Sequence, residues 1–209
     1  DCMKEAFREA RKYGMSVEEA YAYAKKVYEQ NRNNPDAPKK VQDENFDNAR
    51  KRYQAQRKQD ALATIKSVRR YAEKICKKSS KMQGILADGE KDWLYGIFFH
   101  QEVNNRLKNS PGVKRNFPEL TIEGRIDNPN ASNDDKNKKG NYRIPDYQWG
   151  EVGDSDYQIW DLKPSDPNIQ NKWEHTDQYK DMDDWTNCKP KAIGYNKENP
   201  ESQDNDDKP

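Results

Sequence analysis

The segment 157-YQIWDLKPSD-166 constrains the fold more than any other stretch of the chain. Tyr157, Ile159, Trp160 and Leu162 favour a pleated, half-buried strand, and Pro164, which has no N–H to give a ladder, closes the run. Inside it sits Asp161, with Lys163 two positions on and so on the same strand face. An ionised carboxylate in such a strand costs free energy unless something offsets its charge. A chain that keeps it needs a sheet around it and a counter-charge beside it.

The means to build that sheet are limited. Hydrophobic residues make up 32% of the 209 positions and charged residues 36%, so one compact part must hold most of the aromatic side chains. Residues 1–83 read as a polar helical appendage. Ser16 and Glu19 form a capping-box pattern ahead of Val17, Ala20, Tyr21, Ala24 and Tyr28 at helical spacing. The polar linker 31-NRNNPDAPKK-40 follows, then a long helix from about Glu44 to Lys78 whose narrow apolar stripe suits one neighbour. Residues 84–197 are denser in apolar side chains. There 92-DWLYGIFFHQEVNNRL-107 reads as a helix, and 119-ELTIEGRI-126, 141-NYRIPDYQW-149 and 157-YQIWDLKP-164 read as three strands. The stretch 127-DNPNASNDDKNKKG-140 reads as a long mobile loop, Asn168 to Trp185 as one helix, and 189-KPKAIGYN-196 as a last strand. The order helix, three strands, helix, strand indicates an α/β (α+β) domain that opens on an antiparallel meander. Residues 198–209 read as an acidic disordered tail.

The net charge of +1 hides segregation, because 66-KSVRRYAEKICKKSSK-81 is strongly basic and 198-ENPESQDNDDKP-209 mostly acidic. A basic patch of that kind is either a solvated face or a footprint for phosphate. The three cysteines, Cys2, Cys76 and Cys188, lack the spacing of a zinc site or a disulfide framework. No stretch has the apolar length of a membrane span, and no signal-peptide pattern is visible. Opening on Asp1, the chain reads as a fragment of a longer polypeptide.

Asp-x-Lys recurs at Asp134–Lys136, Asp161–Lys163 and Asp206–Lys208, but only the middle one lies in an apolar strand. The preceding strand carries Pro145-Asp146 after Arg143 and Ile144, and the turn 150-GEVGDSD-156 can bring Asp146 beside Asp161. Two carboxylates, with the Leu162 carbonyl, can hold Mg²⁺, a hard ion that takes oxygen ligands and keeps several waters. Lys163 can then orient or deprotonate an attacking water and offset charge on a phosphate. The metal would also supply Asp161 with its missing counter-charge. The competing reading is an ordinary strand ion pair.

Pro145-Asp146 followed by Asp161-Leu162-Lys163 resembles the PD-(D/E)xK signature of restriction-endonuclease-like nucleases, over about residues 92–196. The resemblance is strongest to nuclease toxin domains of bacterial polymorphic toxins, with their strand–DLKP–helix–QY order, matched here by Gln178-Tyr179. It implies a restriction-endonuclease-like core, a central mixed β-sheet flanked by helices. It also implies an Mg²⁺-dependent endonuclease (Mn²⁺ substituting) in which Asp146 and Asp161 bind metal, Lys163 assists the water, and Gln178 and Tyr179 support the site. The third carboxylate is Glu102 on the preceding helix, where it can instead pair with Arg106, or Glu119 or Glu123 on the first strand. His100, on an apolar arc of that helix, reads as a core histidine. Gln178 has its own alternative as a helix-to-sheet contact. The segment 66–81 with Lys138, Lys139 and Arg143 would track a DNA backbone, RNA being the other substrate. The resemblance further implies an antibacterial effector delivered by a specialised secretion system into a rival's cytoplasm and blocked by a cognate immunity protein. A repair or restriction nuclease of the same fold, and a non-catalytic nucleic-acid or protein-binding module, are the rival readings.

Overall fold

The computed structural model describes residues 2–32, 41–89 and 92–196, and the chain divides into two compact units between Asp60 and Ala61. The acidic segment 198–209 and most of the linker lie outside the described residues.

The first unit holds α1 (Cys2–Lys12), α2 (Val17–Asn31) and the start of α3 (Glu44–Lys78). The capping box forms as the sequence predicts: Ser16 Oγ accepts from the Glu19 amide at 3.1 Å, and Glu19 Oε2 accepts from the Ser16 amide at 2.9 Å. Alanines at 6, 10, 20 and 24 are buried, and Tyr23 stacks on Phe46 with centroids 4.0 Å apart. Asp43 tops α3, accepting from the Phe46 amide at 3.0 Å and pairing with Lys26 at 2.5 Å.

The second unit takes the rest of α3, then α4 (Ser80–Ala87), α5 (Asp92–Lys108) and α6 (Pro111–Asn116). Six strands follow: β1 (Leu120–Ile122), β2 (Ile126–Asp127), β3 (Tyr142–Arg143), β4 (Tyr147–Trp149), β5 (Gln158–Pro164) and β6 (Lys191–Tyr195). Helices α7 (Pro167–Glu174) and α8 (Asp177–Thr186) connect β5 to β6. The main sheet runs β1-β4-β5-β6, antiparallel except for the parallel β5–β6 pair, and β2 and β3 form a separate ribbon. The mixed α/β class and the N-terminal helices are as expected. β5 sends alternate residues to two cores. Trp160 and Leu162 pack with Ala61, Ile65 and Ala72 of α3 and Tyr95, Phe99 and Val103 of α5, whereas Tyr157 and Ile159 pack with Trp173 and Met182.

Four expectations need correction. Residues 61–83 are not part of an appendage, because Ala61, Ile65 and Ala72 are core, and Arg69 and Glu73 are buried. The Arg69 guanidinium donates to the Gly194 carbonyl, and Glu73 Oε1 accepts from the Asn196 amide at 3.0 Å. Two of the three predicted strands are each broken. Between β1 and β2, Glu123 takes the left-handed φ of 54°, and a Cβ on Gly124 would lie 2.4 Å from the Gln148 amide nitrogen. Between β3 and β4 stands Pro145, which gives no ladder N–H. The predicted helix 168–185 is two helices, since Thr176 Oγ1 donates to the Trp173 carbonyl at 2.7 Å and accepts from the Tyr179 amide at 3.3 Å, capping α8. Finally, the polar loop 127–140 is tied down. Arg125 pairs with Asp127 and bonds to Asn137 Oδ1 at 2.9 Å and the Lys136 carbonyl at 2.6 Å.

Candidate active site

The β4–β5 register pairs Tyr147 with Trp160, so the next step along the ladder sets Asp146 opposite Asp161. Each carboxylate takes a backbone amide of the other strand. Asp161 Oδ1 accepts from the Asp146 amide at 2.8 Å, and Asp146 Oδ2 accepts from the Leu162 amide at 2.7 Å. The carboxylates thereby replace carbonyls where the ladder runs out, and both residues are buried, Asp161 to 2% exposure.

Asp146 has two further side-chain neighbours. His100 Nδ1 lies 3.2 Å from its Oδ1, and Asn104 Nδ2 donates to the same oxygen at 3.4 Å. The Tyr147 hydroxyl fixes that amide by donating to Asn104 Oδ1 at 2.8 Å. Burial pushes the Asp146 carboxyl up, but His100, the Leu162 amide and Lys163 outweigh it and hold the group below the usual carboxylate range. Asp161 is the reverse case. Burial, aided by the Asp146 charge and only partly offset by Lys163, raises it to about 6. Its Oδ2 is buried and pairs with the Lys163 ammonium 3.1 Å away. Lys163 is steadied from the other side by the Trp173 ring, 4.9 Å from its ammonium.

Sequence reasoning therefore brought Asp146, Asp161 and Lys163 together correctly, and it placed other residues less well. Glu102 turns to Arg106, 2.5 Å away, and that guanidinium lies over the Tyr71 ring. Glu123 pairs with Lys108 while its amide donates to the Asp146 carbonyl at 2.8 Å. Glu119 is exposed. Among the described residues no three His, Cys, Asp or Glu side chains form a metal cage. Gln178 is half-buried in the first turn of α8, outside the hydrogen bonds of Asp146, Asp161 and Lys163. Tyr179 acts at one remove, edge-on to Trp173 at 5.0 Å, so it backs the ring that backs Lys163. Arg143 is half-buried, paired with Asp181 and packed 5.5 Å from the Trp185 ring, which makes it a brace between β3 and α8. Lys138 pairs with Asp135, and Lys139 is exposed.

The sequence reads His100 as a core histidine, whereas it faces Asp146, and it assigns nothing to Asn104, Tyr147 and Trp173. The signal for His100 and Asn104 was present, because they stand four residues apart and so share a helix face. No family model, curated protein or solved structure matches the chain.

Proposed function

We propose that the second unit is a metal-dependent nuclease of the restriction-endonuclease-like type, hydrolysing phosphodiester bonds, DNA before RNA. One observation carries the reading. Asp161 is kept almost fully buried, its Oδ2 meeting only the Lys163 ammonium among the described residues, opposite a second buried carboxylate. A structural ion pair gains nothing from burying two carboxylates side by side. A divalent cation relieves both. Mg²⁺ fits this donor set because it keeps most of its waters and is commonly held by one or two carboxylates plus substrate phosphate rather than by a closed cage.

Asp146 and Asp161 would hold the ion. When bound, it supplies Lewis acidity that lowers the pKa of water and offsets charge developing on the phosphate. The chain's own residues do the positioning. The crossed amide bonds fix both carboxylates to the ends of β4 and β5, and His100 with Asn104 fixes the rotamer of Asp146. Lys163, held between Asp161 and Trp173, carries the one ammonium at the carboxylate pair among the described residues. It is placed to orient a water or to stabilise a phosphate oxygen. The mixed sheet with helical layers on both faces supports the same reading.

A nicking assay on supercoiled plasmid and on RNA, with Mg²⁺ and with EDTA, tests it. Cleavage should need the metal, and Asp161→Asn and Lys163→Met should abolish it; cleavage by these variants at the wild-type rate would overturn the assignment. The antibacterial setting belongs to the same proposal. Expressed in a bacterial cytoplasm, the wild-type chain should stop growth and Asp161→Asn should not.

A further inference from the structure

Trp93 and Ile97 precede His100 and Asn104 on α5 at intervals of four, three and four residues. At about 100° per residue that sets all four within one narrow stripe. The stripe changes character along its length. Asn104 is buried against Asp146 and His100 half-buried against it, whereas Ile97 is 45% and Trp93 64% exposed. A single exposed apolar residue needs no explanation. Two in line with the side chains that grip the site's carboxylate do, the more so when Trp149, Trp160 and Trp173 are all buried.

We infer that Trp93, flanked by Ile97, is a stacking platform for an unpaired base of the strand whose phosphate lies at Asp146 and Asp161. The inference rests on the nuclease reading of that site and names its substrate as single-stranded or locally unpaired nucleic acid. With a rise of 1.5 Å per residue, Trp93 stands about 10.5 Å along the helix from His100. Stacked bases are spaced by about 3.4 Å, so the platform meets a base within about three nucleotides of the scissile bond. An indole face accepts any base, which gives affinity without sequence preference. A base inside a duplex is already stacked on its neighbours and offers the platform only an edge.

The test is fluorescence anisotropy of a dye-labelled short oligodeoxythymidine titrated with the full chain in EDTA, where no turnover occurs. Saturable binding is expected. Trp93→Ala should weaken binding by about five- to hundredfold, and Trp93→Tyr should restore most of it. An abasic oligomer of equal charge should bind the wild-type chain no better than the thymidine strand binds the alanine variant. A duplex should bind with an affinity that the substitution leaves alone. Equal affinity of wild type and Trp93→Ala for the strand, or of wild type for thymidine and abasic strands, overturns the platform. Cleavage on single-stranded DNA with Mg²⁺ separates the two layers. Ring-dependent binding without any cleavage sinks the nuclease reading and leaves the platform. Cleavage that ignores Trp93 does the opposite.

Discussion

Asp43 in the first unit and Asp161 in the second are both nearly closed to water, at 8% and 2% exposure, yet their carboxyls are shifted in opposite directions. Around Asp43, burial is outweighed by Lys26 and by the amide it caps, and the group is held below its ordinary value. Around Asp161, burial wins and the acid is pushed up to about 6. The first arrangement is complete: the charge has a cation, and a helix N-terminus that favours it. The second is built so that the ionised form stays under-compensated. Two buried acids in one chain separate a carboxylate that holds the fold from one the fold holds for something else.

The largest expected effect separates them outright. Asp161→Asn should cost about 10²–10³-fold or more in cleavage rate, a loss of the size seen when one electrostatic group of an active site is removed. In EDTA at pH about 7.5 it should also leave stability unchanged or raise it by on the order of 1 kcal/mol, since a neutral amide replaces a strained charge and still accepts from the Asp146 amide. A lower thermal midpoint would make Asp161 a structural residue like Asp43. Asn104→Leu should destabilise by about 1–3 kcal/mol, because the Tyr147 hydroxyl and Asp146 both lose a buried partner. It should slow cleavage less than Asp161→Asn, as it touches the site through Asp146 alone.

Asp43→Asn should cost about 1 kcal/mol through the lost charge on the cap and on Lys26. Its pH signature should oppose that of Asp161. A raised acid contributes stability that is full below the ordinary value of about 4 and is lost as pH climbs through about 6. A lowered acid contributes stability that is present above about 4 and lost on acidification through its folded value. Urea midpoints in EDTA should therefore show Asp161→Asn gaining on wild type between pH about 4 and 6 and holding level above that. The deficit of Asp43→Asn should stay constant over that range and close only below about 4. Smallest is the loop: Lys138→Ala and Lys139→Ala should each weaken nucleic-acid binding only a few-fold, in salt-dependent fashion.

Much of this contrast was open to the sequence. The span of α3 follows from its apolar stripe, and β5 from the run around Asp161, because one periodicity dominates each. Asp146 opposite Asp161 follows from a short turn and a period of two. What stayed hidden depends on distant neighbours. Glu123 and Gly124 look like strand until Gln148 crowds the backbone, and Thr176 looks like helix interior until it caps α8. Arg69 and Glu73 read as a basic, solvated face because nothing local reveals that β6 lies against them. Glu102 and Arg106, four residues apart, needed only each other, and that local pairing took away the helix-borne carboxylate the resemblance had assigned to the metal.

Arg69 and Glu73 also settle how the sheet ends. β6 is its outer strand, and the Gly194 carbonyl with the Asn196 N–H forms the outward rung that a further strand would take. Two side chains one helical turn apart occupy that rung, so this end of the edge offers no template for another chain. A chain carrying Arg69→Ala and Glu73→Ala would keep Asp146, Asp161 and Lys163 and lose this cap. Light scattering should show it self-associating through β6, where the wild-type chain stays dispersed.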